Sequence, residues 1–466
     1  MDPIPAFGRR QLLAGGATLA GGATLAATPL LAPAARAQAA PAGAQSAVID
    51  VNRARSAPIP VAIPALGGTD GPAQQLGVQI AAVITADLAN SGLFRPISPQ
   101  AYVGVQPAGE VPHFQNWAAV GAQALVTGRV ESQGSQVRIE FRLWDVLPQQ
   151  QIQGTAYTAA AGNWRRIAHI MADVIYERLL GEKGYFDTRV VYVSQTGPRD
   201  RRTRRLAIMD QDGENQRYLT DGTWMVLTPR FHPSRDLVAY MSYANNRPRV
   251  YLYDLASGHQ RQLGEFKGMT FSPRFNPTGA NVIMAVTTDA GGSDIITVDL
   301  NGRMMGRLTN SGAIDVSPCY NPDGTQIVFN SDRSGDQQLF VMDASGGNVR
   351  RISYGNGRYA TPVWSPRGDL IAFTRMAGGN AGNFAIGVMR PDGSGERILS
   401  EGFDVEGPTF CPNGRVLMFW RTTPSLDSRG RGFSSRLVSI DITGFNERVI
   451  PTPTDASDPA WSPLLG

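Results

Sequence analysis

One short pattern recurs six times in the second half of the chain and constrains its fold more than any other feature. The pattern is proline, any residue, an aromatic residue, any residue and proline, and its aromatic residues are Phe231, Phe275, Tyr320, Trp364, Phe410 and Trp461. With 32 prolines and 8% aromatic residues in 466 positions, composition alone would produce about 0.2 matches. The first prolines stand 44, 45, 44, 46 and 51 residues apart. This spacing is the length of one blade of a β-propeller.

The predicted strands form complete four-stranded blades only if the two ends of the repeat region share one blade. Residues 188–220 supply three strands with no proline-aromatic strand before them, and residues 458–463 supply that strand with nothing after it. The C-terminal strand is therefore predicted to complete the first blade, which gives six blades and leaves no sheet end open. Because proline cannot donate to a sheet ladder, we place the repeated strand at the inner edge of each blade, facing the channel. The six aromatic residues then have a structural role, filling space between blades.

The residues before the repeats predict a small α/β domain. Apolar residues at helical spacing indicate one helix over residues 72–90 and another between Asn163 and Gly181. Three strands are predicted between them, over residues 124–131, 137–146 and 152–159. We therefore expect a two-domain protein. The N-terminal α/β domain, with a mobile first segment, would span residues 38–183, and an all-β six-bladed propeller closed by the C-terminal strand would span residues 188–466.

The first 37 residues have the composition of an export signal. Arg9 and Arg10 precede a weakly apolar stretch, and Ala35-Arg36-Ala37 offers the small residues that a signal peptidase requires, with cleavage after Ala37. The paired arginines suit the twin-arginine route, while the general secretory route stays open. No later run approaches the roughly 18 apolar residues of a membrane-spanning helix. We expect a soluble mature protein outside the cytoplasm.

Composition and motif content argue against most chemical functions. The net charge is only +4, and the one dense arginine run, over residues 199–205, has no interleaved aromatic residues, so nucleic acid is not an expected partner. The chain lacks Gly-x-Ser-x-Gly, and its four histidines show no metal-binding spacing. We predict no catalytic residue, no metal site and no cofactor. Two alternatives stay open: a carbohydrate-active propeller with an acidic pair in its channel, and an accessory domain of a peptidase. Cys319 and Cys411 are predicted to be buried free thiols, since they lie at different places in their repeats.

Variable loops indicate where a partner would bind. In repeat proteins, differences in loop length concentrate on one face, which is often the binding face. Here the connection after the second strand of each blade varies most, over residues 243–247, 332–336, 377–382 and 422–434. These loops are predicted to surround one mouth of the channel together with the segments that lead into the inner strands. We expect a protein loop or peptide to insert at this mouth.

Several segments resemble the TolB family, the periplasmic component of the Tol-Pal envelope system. The resemblance rests on Pro-Val-Ala-Ile-Pro at residues 60–64, Ala-Asp-Leu-Ala-Asn-Ser-Gly-Leu-Phe at residues 86–94, the repeats and the terminal Pro-Ala-Trp-Ser-Pro, and it covers residues 46–466. It implies a non-enzymatic, monomeric adaptor of the periplasm that maintains the outer membrane and its constriction at cell division. The implied partners are a peptidoglycan-associated lipoprotein, bound at the propeller mouth, and TolA, bound through the N-terminal segment. Other outer-membrane proteins are further candidates, and membranes would be approached only through partners.

The resemblance also implies particular contact residues. Those for the lipoprotein are Met269, Thr270, Asn330, Ser331 and Asp332, and the loops and segments predicted to surround the mouth add Asp315, Arg333, Arg358 and Tyr359. Those for TolA, in the segment over residues 46–56, are Val48, Ile49, Asp50 and Val51.

Overall fold

The computed structural model describes residues 57–104, 109–198, 201–377, 383–425 and 432–465. The predicted export signal, with Arg9, Arg10 and Ala37, lies outside the described residues. So does the predicted TolA-binding segment, with Val48, Ile49, Asp50 and Val51.

The N-terminal part is a mixed sheet covered by helices. Its strands follow the spatial order β3-β1-β4-β5-β6, with β2 paired to β4. The strands are β1 (Ile59–Ala62), β2 (Gly67–Gly68), β3 (Phe94–Pro96), β4 (Ala124–Gln133), β5 (Gln136–Asp145) and β6 (Gln150–Ala160). The helices are α1 (Gly71–Asn90), α2 (Phe114–Ala119) and α3 (Trp164–Leu180). Among the helices that the described ranges contain, none is both long and apolar enough to cross a membrane.

Local signals explain the ends of the two long helices. Asp70 precedes α1, and its carboxylate accepts a hydrogen bond from the Ala73 amide at 2.7 Å, so an otherwise unpaired amide of the first turn is satisfied. Helix α3 ends at Gly181, whose φ of 77° belongs to the left-handed region that glycine adopts at little cost. Both helices therefore match the prediction closely. Helix α2 and strand β3 are too short to leave a periodic signal and were not predicted.

The repeat region folds into six sheets of four strands each, as predicted. Adjacent strands in each sheet are antiparallel, and the inner strand comes first in five of the six blades. The strands of the first, shared blade that precede the repeats are β7 (Arg189–Thr196), β8 (Thr203–Asp210) and β9 (Arg217–Tyr218). The second and third blades consist of β10 (Val226–Phe231), β11 (Leu237–Ser242), β12 (Arg249–Asp254), β13 (Gln260–Gln262), β14 (Thr270–Phe275), β15 (Asn281–Thr287), β16 (Ser293–Asp299) and β17 (Met304–Arg307).

The remaining blades continue the same order. They consist of β18 (Asp315–Tyr320), β19 (Gln326–Ser331), β20 (Gln338–Asp343), β21 (Arg350–Arg351), β22 (Arg358–Trp364), β23 (Ile371–Met376), β24 (Phe384–Met389), β25 (Arg397–Gly402), β26 (Asp404–Phe410), β27 (Val416–Ser425), β28 (Gly432–Asp441), β29 (Arg448–Ile450) and β30 (Asp455–Trp461). The last strand, β30, pairs antiparallel with β7 and becomes the inner strand of the first blade. The predicted closure of the ring is confirmed.

Each inner strand differs in one respect from the regular strand that alternation predicts. The strand ends at the aromatic residue of the motif, so the second proline lies in the following turn. Before the first proline the pairing register shifts in all six blades, and the residue at the shift has a positive φ; these residues are Thr228, Ser272, Ser317, Thr361, Gly407 and Asp458. The bulge lets the strand accommodate a proline that cannot donate a hydrogen bond, at the cost of a backbone conformation that side chains other than glycine rarely adopt.

The motif aromatics contribute to the hydrophobic core of the propeller. Trp364, Phe410 and Trp461 are buried, whereas Phe231, Phe275 and Tyr320 are half-buried and pack against the core clusters of their blades. Cys319 and Cys411 are both buried and free, which confirms that prediction.

The N-terminal part packs on the face of the propeller that carries the second prolines of the motifs. Three of the polar contacts on this face are Arg367 to Glu182 at 2.9 Å, the Asn413 side-chain amide to the Lys183 carbonyl at 2.8 Å, and the Asn446 side-chain amide to the Asn90 carbonyl at 2.7 Å. The propeller residues of these pairs lie in turns that follow inner or third strands. The opposite face, where the inner strands begin, has no contact with the described residues of the N-terminal part.

Candidate functional site: the loop-side mouth of the propeller

We call the channel end at which the six inner strands begin the loop-side mouth, and the end at which the second prolines lie the proline-side mouth. Six equivalent side chains, each four residues before the first proline of a motif, surround the loop-side mouth: Met225, Met269, Ile314, Arg358, Asp404 and Asp455. The first three are apolar and 36%, 46% and 41% exposed. The other three are charged. The mouth is therefore divided into an apolar half, on three consecutive blades, and a charged half.

The next residue of each inner strand is buried in all six blades: Val226, Thr270, Asp315, Tyr359, Val405 and Ala456. These side chains hold neighbouring strands together. The Thr270 hydroxyl accepts a hydrogen bond from the Val250 amide at 3.0 Å, and the Tyr359 hydroxyl donates to Glu396 at 2.8 Å. Burial, followed by the hydrogen bond and charge of Glu396, raises the pKa of Tyr359 to about 12. This position shapes the rim from inside.

Arg333 organises the rim on the third repeat. Its guanidinium pairs with the buried Asp315 carboxylate at 2.8 Å and lies 5.1 Å and 5.2 Å from the centroids of the Phe329 and Phe340 rings. Its Nε also donates to the Ser331 hydroxyl at 3.0 Å. A guanidinium that is both ion-paired and in contact with aromatic rings has little freedom to move. This part of the rim is therefore preorganised for binding.

The neighbouring loop is fixed by Asp332. One carboxylate oxygen of Asp332 accepts a hydrogen bond from the Ile314 amide at 2.7 Å, which ties the loop after β19 to the start of β18, the inner strand of the same blade. A cavity of about 490 Å³ lies beside this contact, lined by residues of the two connecting loops together with Asp332 and Arg333. The contact presents the Ile314 side chain at the mouth.

The structure separates the nine residues expected to contact the lipoprotein into two groups. Met269 and Arg358 are exposed, and Asp332 and Arg333 are half-buried. The remaining five are buried: Thr270, Asp315, Asn330, Ser331 and Tyr359. A side chain that is enclosed on all sides cannot touch a partner directly, so these five can act only by holding the rim in shape.

Sequence reasoning missed most of the exposed apolar residues at the mouth. Met225 and Ile314 were not singled out, and neither were Trp224 and Phe403, which are 40% and 49% exposed beside inner strands. Phe403 stacks on Phe433 with ring centroids 5.7 Å apart. The sequence could have indicated these residues, because each lies one or two positions before an inner strand begins.

Acidic side chains meet in the charged half. Burial, followed by the charges of Asp404 and Asp458, raises the pKa of Glu406 to about 7. Burial also raises the pKa of Asp404. At neutral pH this side of the channel therefore holds fewer negative charges than its carboxyl groups suggest.

One group of side chains in the described residues has the composition of a metal site, namely Asp87, His169 and Asp212. It lies between the N-terminal part and the propeller. His169 Nδ1 is 2.6 Å from Asp87, and Arg165 forms an ion pair with Asp212. Asp87 is thus already in contact with the His169 nitrogen, and Asp212 with the Arg165 guanidinium. The arrangement is that of an ion-pair network.

Comparison with known proteins gives consistent matches along the chain. Residues 176–465 match the family described as the TolB beta propeller domain, and residues 47–152 match the TolB amino-terminal domain. The chain is 59% identical to the Tol-Pal system protein TolB of Gluconobacter oxydans (strain 621H) over 462 residues, which cover 99% of this chain and 97% of that protein. It is 51% identical to the Tol-Pal system protein TolB of Paramagnetospirillum magneticum over 421 residues, or 90% and 93% of the two chains.

A solved structure has the same architecture. The crystal structure of TolB from Acinetobacter baumannii superposes with a TM-score of 0.75 at 27% identity, covering 87% of this chain and 97% of that one.

Proposed function

Since this chain belongs to the TolB family of Tol-Pal system proteins, we propose that it acts in the periplasm as a non-enzymatic adaptor of that system. It binds a peptidoglycan-associated lipoprotein at the loop-side mouth and TolA through residues 46–56. Through these two partners it contributes to outer-membrane integrity and to constriction at division.

The apolar half of the loop-side mouth is the observation that carries the lipoprotein proposal. Three apolar side chains on consecutive blades, Met225, Met269 and Ile314, are each exposed by more than a third. A contiguous apolar patch on a soluble protein is typical of an interaction site. The described residues of the N-terminal part dock on the opposite face, so they leave this patch uncovered.

The charged neighbours supply the polar part of such an interface. Arg358 is exposed, and Asp332 and Arg333 are half-buried at the edge of the same mouth. Apolar contacts at the centre with charged groups around them are the usual anatomy of a specific protein interface. Because Asp315 already holds Arg333 in place, binding of a partner costs little conformational entropy of this side chain.

The lipoprotein proposal is tested by capture from an envelope extract. We expect the intact protein to retain the lipoprotein and Met269→Asp to reduce its affinity roughly tenfold or more, because a carboxylate would be buried in the apolar centre of the interface. Met304→Asp is the matched control, since Met304 is 50% exposed on the outer strand of the same blade. Failure of the intact protein to capture any lipoprotein would overturn the proposal, as would equal loss in both variants.

The TolA proposal is tested separately. Deletion of residues 46–56 is expected to abolish capture of TolA while leaving capture of the lipoprotein in place, because the segment precedes the first described strand and the described residues that form the mouth all belong to the propeller. Binding of TolA and binding of the lipoprotein are each measured with the purified partner by surface plasmon resonance. Undiminished TolA binding by the shortened protein would show that TolA binds elsewhere.

A further inference from the structure

A cavity of about 40 Å³ lies in the channel where the inner strands bulge, and we call this part of the channel the waist. The cavity is lined by the hydroxyl residues Thr228, Ser272, Ser317 and Thr361 and by Arg230 and Arg274. The same two arginines line a second cavity of about 330 Å³, which opens at the proline-side mouth and is bordered by motif aromatics. The waist is therefore a small polar space reached from a wider, aromatic-lined one.

The two arginines are specific to two blades. Both follow the first proline of their motif, and the equivalent residues of the other four blades are uncharged: Cys319, Val363, Thr409 and Ala460. The repeat architecture does not require arginine at this position. Two positive charges are nevertheless brought side by side in the channel.

Neither arginine has an anionic partner within ion-pair distance among the described residues. Arg230 donates to the Pro229 carbonyl at 2.6 Å, and Arg274 makes no hydrogen bond or ion pair with the described part of the chain. Burial, followed by repulsion from Arg274, lowers the pKa of Arg230 to about 9, with Asp458 acting weakly in the opposite direction. Because a guanidinium gives up its proton only with great difficulty, a bound anion is the other way to relieve this repulsion.

A second observation concerns hydrogen bonding at the waist. The Thr228 hydroxyl oxygen is buried and has no hydrogen-bond partner within the residues that the structure describes. Buried polar groups are nearly always paired. Thr228 also has a φ of 48°, and the other three hydroxyl residues have φ values of 52°, 54° and 47°. The bulges thus hold four hydroxyl residues around the space that the two guanidinium groups border.

We propose that the waist of the propeller channel binds a small oxyanion, the phosphate or carboxylate group of a ligand, between Arg230 and Arg274. Guanidinium groups form charge-assisted hydrogen bonds to such oxygens, and a hydroxyl at the waist supplies a further donor. The acidic groups Asp404, Glu406 and Asp458 lie on inner strands of the other half of the ring. Their negative charge repels an oxyanion, so the oxyanion can occupy only the arginine side of the channel. The site is independent of the mouth at which the lipoprotein is proposed to bind.

The test is titration of the purified exported protein with sodium phosphate and, in a second arm, sodium acetate, by calorimetry with chloride keeping the ionic strength constant. We expect saturable binding of at least one anion, and Arg274→Gln should weaken it by about tenfold or more. Arg303→Gln, at an exposed turn position, should leave the affinity unchanged. Binding of phosphate alone identifies a phosphate site, and binding of acetate alone identifies a carboxylate site.

A thermal melt separates loss of the site from loss of the fold. In buffer that contains only chloride, Arg274→Gln is expected to melt at or above the temperature of the parent protein, because it removes repulsion from Arg230. Addition of the bound anion should then raise the melting temperature of the parent and not that of the variant. The proposal is overturned if neither anion binds saturably to the parent, or if Arg274→Gln binds it as tightly.

Discussion

Replacing Trp461 with alanine is expected to lower the free energy of unfolding by about 3–5 kcal/mol, the usual cost of deleting a large buried aromatic side chain. Trp461 is 6% exposed. Its indole Nε1 donates to the Thr188 hydroxyl at 2.8 Å, and its ring meets Tyr185 edge to face with centroids 5.7 Å apart. The residue thus joins the closing strand β30, the start of the propeller and the connection from the N-terminal part.

The measurement is equilibrium unfolding in urea, followed by circular dichroism. Trp224→Ala is the matched control, because Trp224 is 40% exposed and its loss should cost less than about 1 kcal/mol. If Trp461→Ala unfolds at the same urea concentration as the parent, strand β30 does not stabilise the closed ring.

Replacing His169 with alanine is expected to cost a similar amount, about 3–5 kcal/mol at neutral pH, because it leaves the buried Asp87 carboxylate without its cationic partner. His169 and Asp87 are 2% and 1% exposed, and their side chains meet at 2.6 Å. Asp87 also accepts a hydrogen bond from the Gln211 side chain at 2.8 Å, and Gln211 belongs to the propeller. The group therefore fastens helices α1 and α3 to the first blade.

The same group makes stability depend on pH. Burial by itself lowers the pKa of His169, but the hydrogen bond and charge of Asp87, together with the charges of Asp212 and Asp210, raise it above the ordinary value. Burial raises the pKa of Asp87 as well, against the opposing effects of His169 and Arg165. Both shifts mean that the folded protein binds more protons than the unfolded chain, so stability must fall as pH rises.

For His169 the contribution is complete below the unfolded pKa of about 6.5 and is lost as pH rises through the higher folded value. Unfolding in urea at several pH values between 5.5 and 9 should show this decline in the parent protein. In His169→Ala the decline should be smaller, so the stability lost relative to the parent should be greatest at low pH and should lessen as pH rises. The control His259→Ala, at an exposed turn, should follow the parent. A pH dependence that is the same in parent and His169→Ala would contradict the assignment.

The family resemblance indicates the region of the site, and the geometry shows which side chains in that region are exposed. The resemblance predicts binding at the mouth and at the third repeat, where Asp332 and Arg333 do form part of the rim. The segments predicted to surround the mouth added Asp315 and Tyr359, which the fold buries behind the rim. A contact residue and its supporting neighbour are adjacent in the chain, and only the direction of each side chain distinguishes them.

The sequence by itself determined the architecture of this protein. Six proline-aromatic motifs at blade spacing, and an unpaired strand at each end of the repeats, allow one closed ring, because both the repeat length and the proline positions act locally. Tertiary structure alone decided what the ring brings together: Arg230 beside Arg274, His169 beside Asp87, and Met225, Met269 and Ile314 on one half of a mouth. These residues are 44 to 89 positions apart within each group. The repeat puts the channel residues at equivalent positions, but their burial and contacts depend on the bulge and rotation of each blade, and the pairing of His169 with Asp87 follows no repeat.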